Sequence, residues 1–221
     1  MNRRSESKTA KQYQRRGSQR VRAQRRNARN SRPSAGYRRR GAHARNSQEF
    51  YAQEDWHEPL EDSSVRFVVQ KAGAGHVHPV TIRDVRRRLA ELPERYTRDL
   101  DVVQLSRMTR KRALFPCYGM QWATSVYLYP IETTLVETYV RPPLPQQVIE
   151  ARMFGGRWEQ DGSLWRLRWT RDSIRDFYLN NVLIHEVGHV NDARNTNFDD
   201  RERFADWFAL EYGYRASRGR R

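Results

Sequence analysis

From residue 64 onward, apolar and polar positions alternate in short runs broken by proline, glycine and aspartate, and the period of the runs changes along the chain. Residues 64–70 (SVRFVVQ) are β-branched and aromatic and predict a strand. Thr81, followed three residues later by Asp84, has the form of a helix N-cap with its reciprocal acid. Ile82, Val85, Leu89 and Leu92 then share one helical face, and Pro93 marks the end. Residues 101–106 (DVVQLS) and 120–129 (MQWATSVYLY) predict two further strands, the second closed by Pro130, and residues 141–145 (RPPLP) an extended connection. Residues 157–169 (RWEQDGSLWRLRW) predict a β-hairpin turning at Asp161-Gly162. A helix capped by Thr170 or Asp172 runs through Asp192, and a last one, capped by Asp199 or Asp200, reaches about Tyr212. This order, without internal repeats, predicts an α+β domain with a mixed sheet against helices.

Before residue 48 that pattern disappears. Residues 1–47 hold 16 Lys/Arg against a single acid, Glu6, a net of +15. The rest of the 221-residue chain holds 26 basic and 25 acidic residues, a net of +1. Such an arm buries too little apolar surface to offset its ordering entropy, so disorder is expected when it is free. Its clusters Arg15-Arg16, Arg25-Arg26 and Arg38-Arg39-Arg40 are the expected contacts to nucleic acid or another polyanion, through charge neutralisation and counterion release. Residues 48–63 reverse the sign, with six acids between 49 and 62, and read as an acidic linker or a segment folded back on the arm. The expected division is arm 1–47, linker 48–63, domain 64–216 and basic tail 217–221. One cysteine, Cys117, permits neither an intrachain disulfide nor a cysteine zinc cluster. No run of about 18 apolar residues predicts a membrane span, and no apolar segment follows Arg3-Arg4 as a secretion signal would require. The expected location is cytoplasmic or nucleoprotein-associated.

The chemistry-bearing feature is His185-Glu186-Val187-Gly188-His189, an H-E-x-x-H motif flanked by Val182, Leu183, Ile184 and Val190. On a helix, positions i and i+4 lie on one face, so both imidazoles can reach one Zn²⁺, and the intervening glutamate can act as general base on a metal-activated water. A catalytic zinc needs a third protein ligand, and no histidine follows His189. The third ligand is therefore a downstream carboxylate or comes from upstream. Glu202 and Asp206 again stand at i and i+4, with Phe204, Trp207 and Phe208 suited to packing on the other side. Asp199 and Asp200 are rivals of Glu202, but both look like caps.

Together, H-E-x-x-H and the downstream E-x-x-x-D resemble a zincin metallopeptidase of the gluzincin type. The resemblance covers only about residues 180–212; the metzincin pattern fails, with Asp192 and Asn195 where its glycine and third histidine belong. It implies a zincin-like domain with a backing helix, an active-site helix and a following glutamate-bearing helix. It further implies one Zn²⁺ per chain on His185, His189 and Glu202, Glu186 as general base, and Asp206 orienting a ligand histidine. Residues 120–129 would then be an edge strand that pairs with an extended peptide.

Among the remaining residues, Tyr212 and Tyr214 are candidates to donate a hydrogen bond in the transition state. Asp192 reads as a helix-end or salt-bridge residue, and His76 and His78 as ordinary loop residues rather than a second metal site. The expectation is a zinc metallopeptidase acting on a protein or peptide and brought to nucleic acid or nucleoprotein by its arm. Its rival is a nucleic-acid- or ribosome-associated protein with a structural, inactive zincin fold. The oligomeric state is left open.

Overall fold

A computed structural model describes Asp55, His57, residues 65–114 and residues 116–219. The body is a mixed α+β structure built on a four-stranded sheet. β1 (Arg66–Val69), β3 (Val102–Leu105) and β5 (Ser125–Leu128) run parallel, and β4 (Gly119–Trp122) is antiparallel to β5, giving the order β1-β3-β5-β4. Parallel neighbours need a crossover, and α1 (Ile82–Ala90) is the helix between β1 and β3. It begins as predicted: Thr81 and Asp84 form a reciprocal capping box, and Val85, Leu89 and Leu92 are buried. Two-residue β2 (His76–Val77) and β6 (Ile131–Glu132) pair beside this sheet.

The register divides the sheet's side chains between two cores. Val103, Leu105, Val126 and Leu128 join the main cluster with Val85, Leu89, Leu183, Ile184 and Phe208. The opposite face carries a smaller cluster of Met120, Trp122, Tyr127 and Tyr129. On that face lie Asp55 and His57, the two described residues of the acidic segment. Asp55 accepts hydrogen bonds from Gln70 (3.1 Å) and Gln104 (2.9 Å), and His57 Nε2 meets Gln104 Oε1 at 2.7 Å. Short α2 (Arg110–Leu114) precedes β4, and its Arg112 is buried over the Tyr129 ring at 4.4 Å.

A second, antiparallel sheet of β7 (Val136–Tyr139), β9 (Leu164–Arg168) and β8 (Arg157–Asp161) contains the predicted hairpin, with Gly162 at positive φ. Its anchor to the rest is Glu137, whose carboxylate accepts from Tyr118 (2.7 Å), Tyr139 (2.9 Å) and Trp169 (3.0 Å). Burial drives the Glu137 carboxyl above its usual range even against those three donors.

The structure corrects four sequence expectations. Residues 120–129 are not one strand but the β4–β5 hairpin, because Ala123 takes a positive φ of 51° and reverses the chain. The connection at 141–145 ends in an unpredicted helix, α3 (Pro145–Met153), begun by Pro145 at its first turn. The cap of the last long helix is Asn197, whose side chain accepts from the Asp200 backbone N–H, so Asp199 and Asp200 sit in the first turn. That helix also continues past Tyr212 to Arg218, taking in the start of the expected tail.

Two long helices carry the chain's chemistry. The first is α4 (Arg171–Phe177), a π-helical segment Tyr178–Val182, and α5 (Leu183–Val190), capped at Thr170 as predicted. The second is α6 (Phe198–Phe208), a π-helical segment Ala209–Arg215, and a last turn α7 (Ala216–Arg218). The two π segments lie against each other, with Gly213 so close that a Cβ there would stand 1.9 Å from the Asn180 carbonyl oxygen. Arg88 from α1 donates to the Asn180 side chain (2.7 Å) and to the Tyr212 carbonyl, joining the pair to the sheet's helix layer.

Candidate metal centre

α5 is apolar at Leu183, Ile184 and Val187, which are fully buried and fix its rotation against the sheet. The same rotation turns His185 and His189 toward α6. Gly188, between them, lets α6 approach: a Cβ at 188 would lie 3.0 Å from Phe208 Cβ and 3.1 Å from Ala205 Cα. Ala205 itself is buried without a larger side chain, so both helices are small where they touch.

Glu202, one turn before Ala205, thereby reaches both histidines. His185 Nε2 stands 3.1 Å from His189 Nε2 and 3.5 Å from Glu202 Oε2, and His189 Nε2 lies 3.3 Å from Glu202 Oε1. The two Glu202 contacts end on different carboxylate oxygens, and one ligand atom from each of the three residues lies within 4.8 Å of the others, a cluster that could hold a metal ion. Among the described residues this is the one group of three His, Cys, Asp or Glu side chains that converges in this way.

Asp206 Oδ1 lies 3.1 Å from His185 Nδ1. A proton on Nδ1 donated to that carboxylate leaves the Nε2 lone pair for a metal. Burial, the largest single influence on the His185 imidazole, acts to lower its pKa. The Asp206 and Glu202 contacts and the charge of Glu186 outweigh it and raise the value to about 10. In the absence of a metal this ring therefore holds a proton that an incoming cation must displace.

Glu186, the residue after His185, is buried and packs against the edge strand β4. A Cβ at Gly119 would come within 2.8 Å of Glu186 Oε1 and of Val182 Cγ1, so only glycine lets β4 pass so close to the carboxylate. The charge of Glu186 acts on His185, and Glu186 is not a member of the three-residue cluster.

The other sequence candidates lie elsewhere. The Tyr212 hydroxyl meets the Tyr96 hydroxyl at 2.6 Å, and Tyr214 packs on Phe154 and under Arg218, so neither phenol is aimed at the histidines. His76 and His78 turn to separate backbone carbonyls, of Ala74 and Gln70 (both 2.8 Å), and build no second centre. Asp192 is buried just past α5, where it accepts from the Asn195 backbone and side chain and lies 4.0 Å from Arg201. Trp207 is exposed, unlike its packed neighbours Phe204 and Phe208. Arg15, Arg16, Arg25, Arg26, Arg38, Arg39 and Arg40 lie outside the described residues.

Sequence reasoning missed Glu150. It stands on α3, accepts a 2.6 Å hydrogen bond from Asn181 Nδ2, and feels the charges of both Asp206 and His185. No motif announces it; only the fold brings α3 to this side of α5. No helix among the described residues is long and apolar enough to cross a membrane. Comparisons with protein-family models, with curated proteins and with solved structures give no match.

Proposed function

We propose that the chain is a zinc-dependent metallopeptidase of the gluzincin type, its α+β body a zincin-like domain. The observation that carries this reading is the convergence of His185, His189 and Glu202, each of which offers one ligand atom within 4.8 Å of the other two. Those residues would hold one Zn²⁺, which when bound supplies the Lewis acidity that polarises a scissile carbonyl and brings a water's pKa to about 7.

The remaining chemistry falls to the chain's own side chains. Glu186 takes the proton of the attacking water and returns it to the leaving amine, the part its position beside the donor set supports. Asp206 holds the His185 ring in the tautomer that presents Nε2. β4 is the sheet edge nearest that carboxylate. The Tyr129 N–H to Tyr118 carbonyl bond makes 118, 120 and 122 the residues bonded to β5, and strand alternation then turns the backbone of Gln121 outward. An extended peptide added along that edge would run past Glu186. The +15 charge of residues 1–47 supports the second part of the proposal, that the enzyme is brought to nucleic acid or nucleoprotein substrates.

The deciding experiment pairs metal content by mass spectrometry with cleavage of a mixed peptide library. About one zinc per chain, lost in His189→Ala and Glu202→Ala, is expected. Glu186→Gln should keep the zinc and abolish cleavage. Zinc bound by a wild type that cuts nothing would favour an inactive, nucleic-acid-binding zincin, and no zinc after reconstitution would refute both.

A further inference from the structure

We propose that the outer side of α6 is a binding surface for single-stranded nucleic acid, with Trp207 as the ring on which a base stacks. This rests on the nucleic-acid part of the function proposed above, to which it adds a contact on the folded body, and not on the peptidase part. Glu202 and Asp206 turn toward the histidines of α5, and Trp207 stands about 140° round the helix from the first and about 100° from the second. At 47% exposure it is the one aromatic side chain among the described residues that is open to solvent. Its ring centroid lies 5.5 Å from that of Phe204 and 6.0 Å from that of Tyr212, and Tyr212 lies 4.7 Å from Tyr96. Phe208, fully buried, touches all four rings and anchors them.

A guanidinium stands at each end of this run of contacts: Arg95 lies 4.5 Å over the Tyr96 ring, and Arg194 5.8 Å over Phe204. Both arginines are exposed, and among the described residues no carboxylate pairs with either, whereas Arg203 is engaged by Asp200 and Arg215 by Glu211. The surface is also built before any ligand arrives. Asn191 donates to the Tyr96 carbonyl (2.9 Å) and holds the turn that carries Arg95. Arg201 donates to the carbonyls of Asp192 (3.1 Å) and His189 (3.2 Å), and Asp192 accepts from the Asn195 side chain (3.0 Å), which pins the loop that carries Arg194. Groups already ordered lose less freedom on binding. Rings interleaved with guanidinium groups suit a single strand, whose unstacked bases lie on the rings while its phosphates meet the arginines. An apolar protein face would cover Trp207 but desolvate Arg95 and Arg194 without compensation. The +15 charge of residues 1–47 draws the same kind of polyanion. Because Trp207 and the donor set lie on different sides of α6, a strand held here leaves the two histidines uncovered.

The test uses full-length protein and two labelled single strands of about twelve nucleotides, one of thymidines and one of abasic sites carrying the same phosphates. Binding is read by fluorescence anisotropy at about 0.15 M salt. The wild type is expected to hold the thymidine strand about tenfold tighter, the worth of one stacked base. Trp207→Leu should weaken the thymidine strand by about tenfold and leave the abasic strand and the melting temperature unchanged. Arg95→Gln combined with Arg194→Gln should weaken both strands and reduce the salt slope by about 1.4, two phosphate contacts at about 0.7 each. Unchanged thymidine binding in Trp207→Leu overturns the inference. Self-association lost in that variant without loss of DNA binding also overturns it and assigns the surface to a second copy of the chain. A wild type that binds both strands equally keeps the reading of the arm and refutes the surface alone; one that binds neither, even at low salt, refutes both.

Discussion

Gly188→Ala tests whether the close contact of α5 and α6 is what builds the donor set. The added methyl would sit 3.0 Å from Phe208 Cβ and 3.1 Å from Ala205 Cα, and one of these neighbours is backbone. Relief to ordinary contact, at about 3.4 Å, requires α6 to retreat by roughly 0.4 Å. Metal sites tolerate ligand displacements of only about 0.2 Å. Glu202 and Asp206 flank Ala205 on the moving helix, so both the proposed third ligand and the carboxylate paired with His185 are carried off together. Zinc affinity is expected to fall by about tenfold, comparable to loss of an orienting partner. Fold stability should fall by about 0–2 kcal/mol, because the alanine gains about 1 kcal/mol of helix propensity against an overpacking cost of about 1–3 kcal/mol. Competition with a chromophoric chelator measures the first quantity, and thermal melting in excess chelator the second. Zinc affinity within twofold of wild type, alongside an unchanged melting temperature, would refute the account of helix approach.

The elevated His185 pKa gives a pH signature in the metal-free protein. A folded value of about 10 lies above that of the unfolded chain, so the stabilisation is complete below about 6.5 and is lost as pH rises toward 10. The chelator-treated protein should melt at progressively lower temperature across that window, and His185→Gln should flatten the slope; a slope retained in the variant would assign the effect elsewhere. Phe208→Ala, at a side chain with 0% exposure among Tyr96, Phe204 and Tyr212, should cost about 3–5 kcal/mol in denaturant unfolding. A cost below 1 kcal/mol would mean that this aromatic cluster relaxes around the cavity.

Much of this organisation is legible in residue order, where the signal is local. Thr81 with Asp84, Thr170 and the H-E-x-x-H spacing each state their geometry within four residues, and each is found in the structure, whereas the hairpin turns one residue later than expected, at Gly162-Ser163 with Asp161 still paired in β8. The convergence of His185, His189 and Glu202 was also readable, since two i, i+4 pairs on consecutive helices can face each other in few ways. The unread parts depend on distant partners. Ala123 reverses the chain without glycine, asparagine or aspartate, so its turn carries no compositional mark. The apolar residues of α3 do not gather on one stripe, because the helix lies over the second sheet with only Ala151 buried along its length. Asn197 rather than Asp199 caps α6, a shift of two residues that propensity alone cannot resolve. Glu150 could not be found before the position of α3 was known.

The two π segments constrain how this chain can change. A π turn is an α-helix carrying one residue too many, and removing that residue would restore the regular repeat. Each residue of an α-helix is worth about 100° of rotation. Deleting one position within Tyr178–Val182 would therefore spin His185 and His189 about 100° away from α6, or else drag Arg171–Phe177 round by the same angle. The bulge opposite, with Gly213 seated on Asn180, would lose its counterpart at the same moment. The two insertions act as a matched pair of teeth, so descendants of this sequence should either keep both or have lost both together.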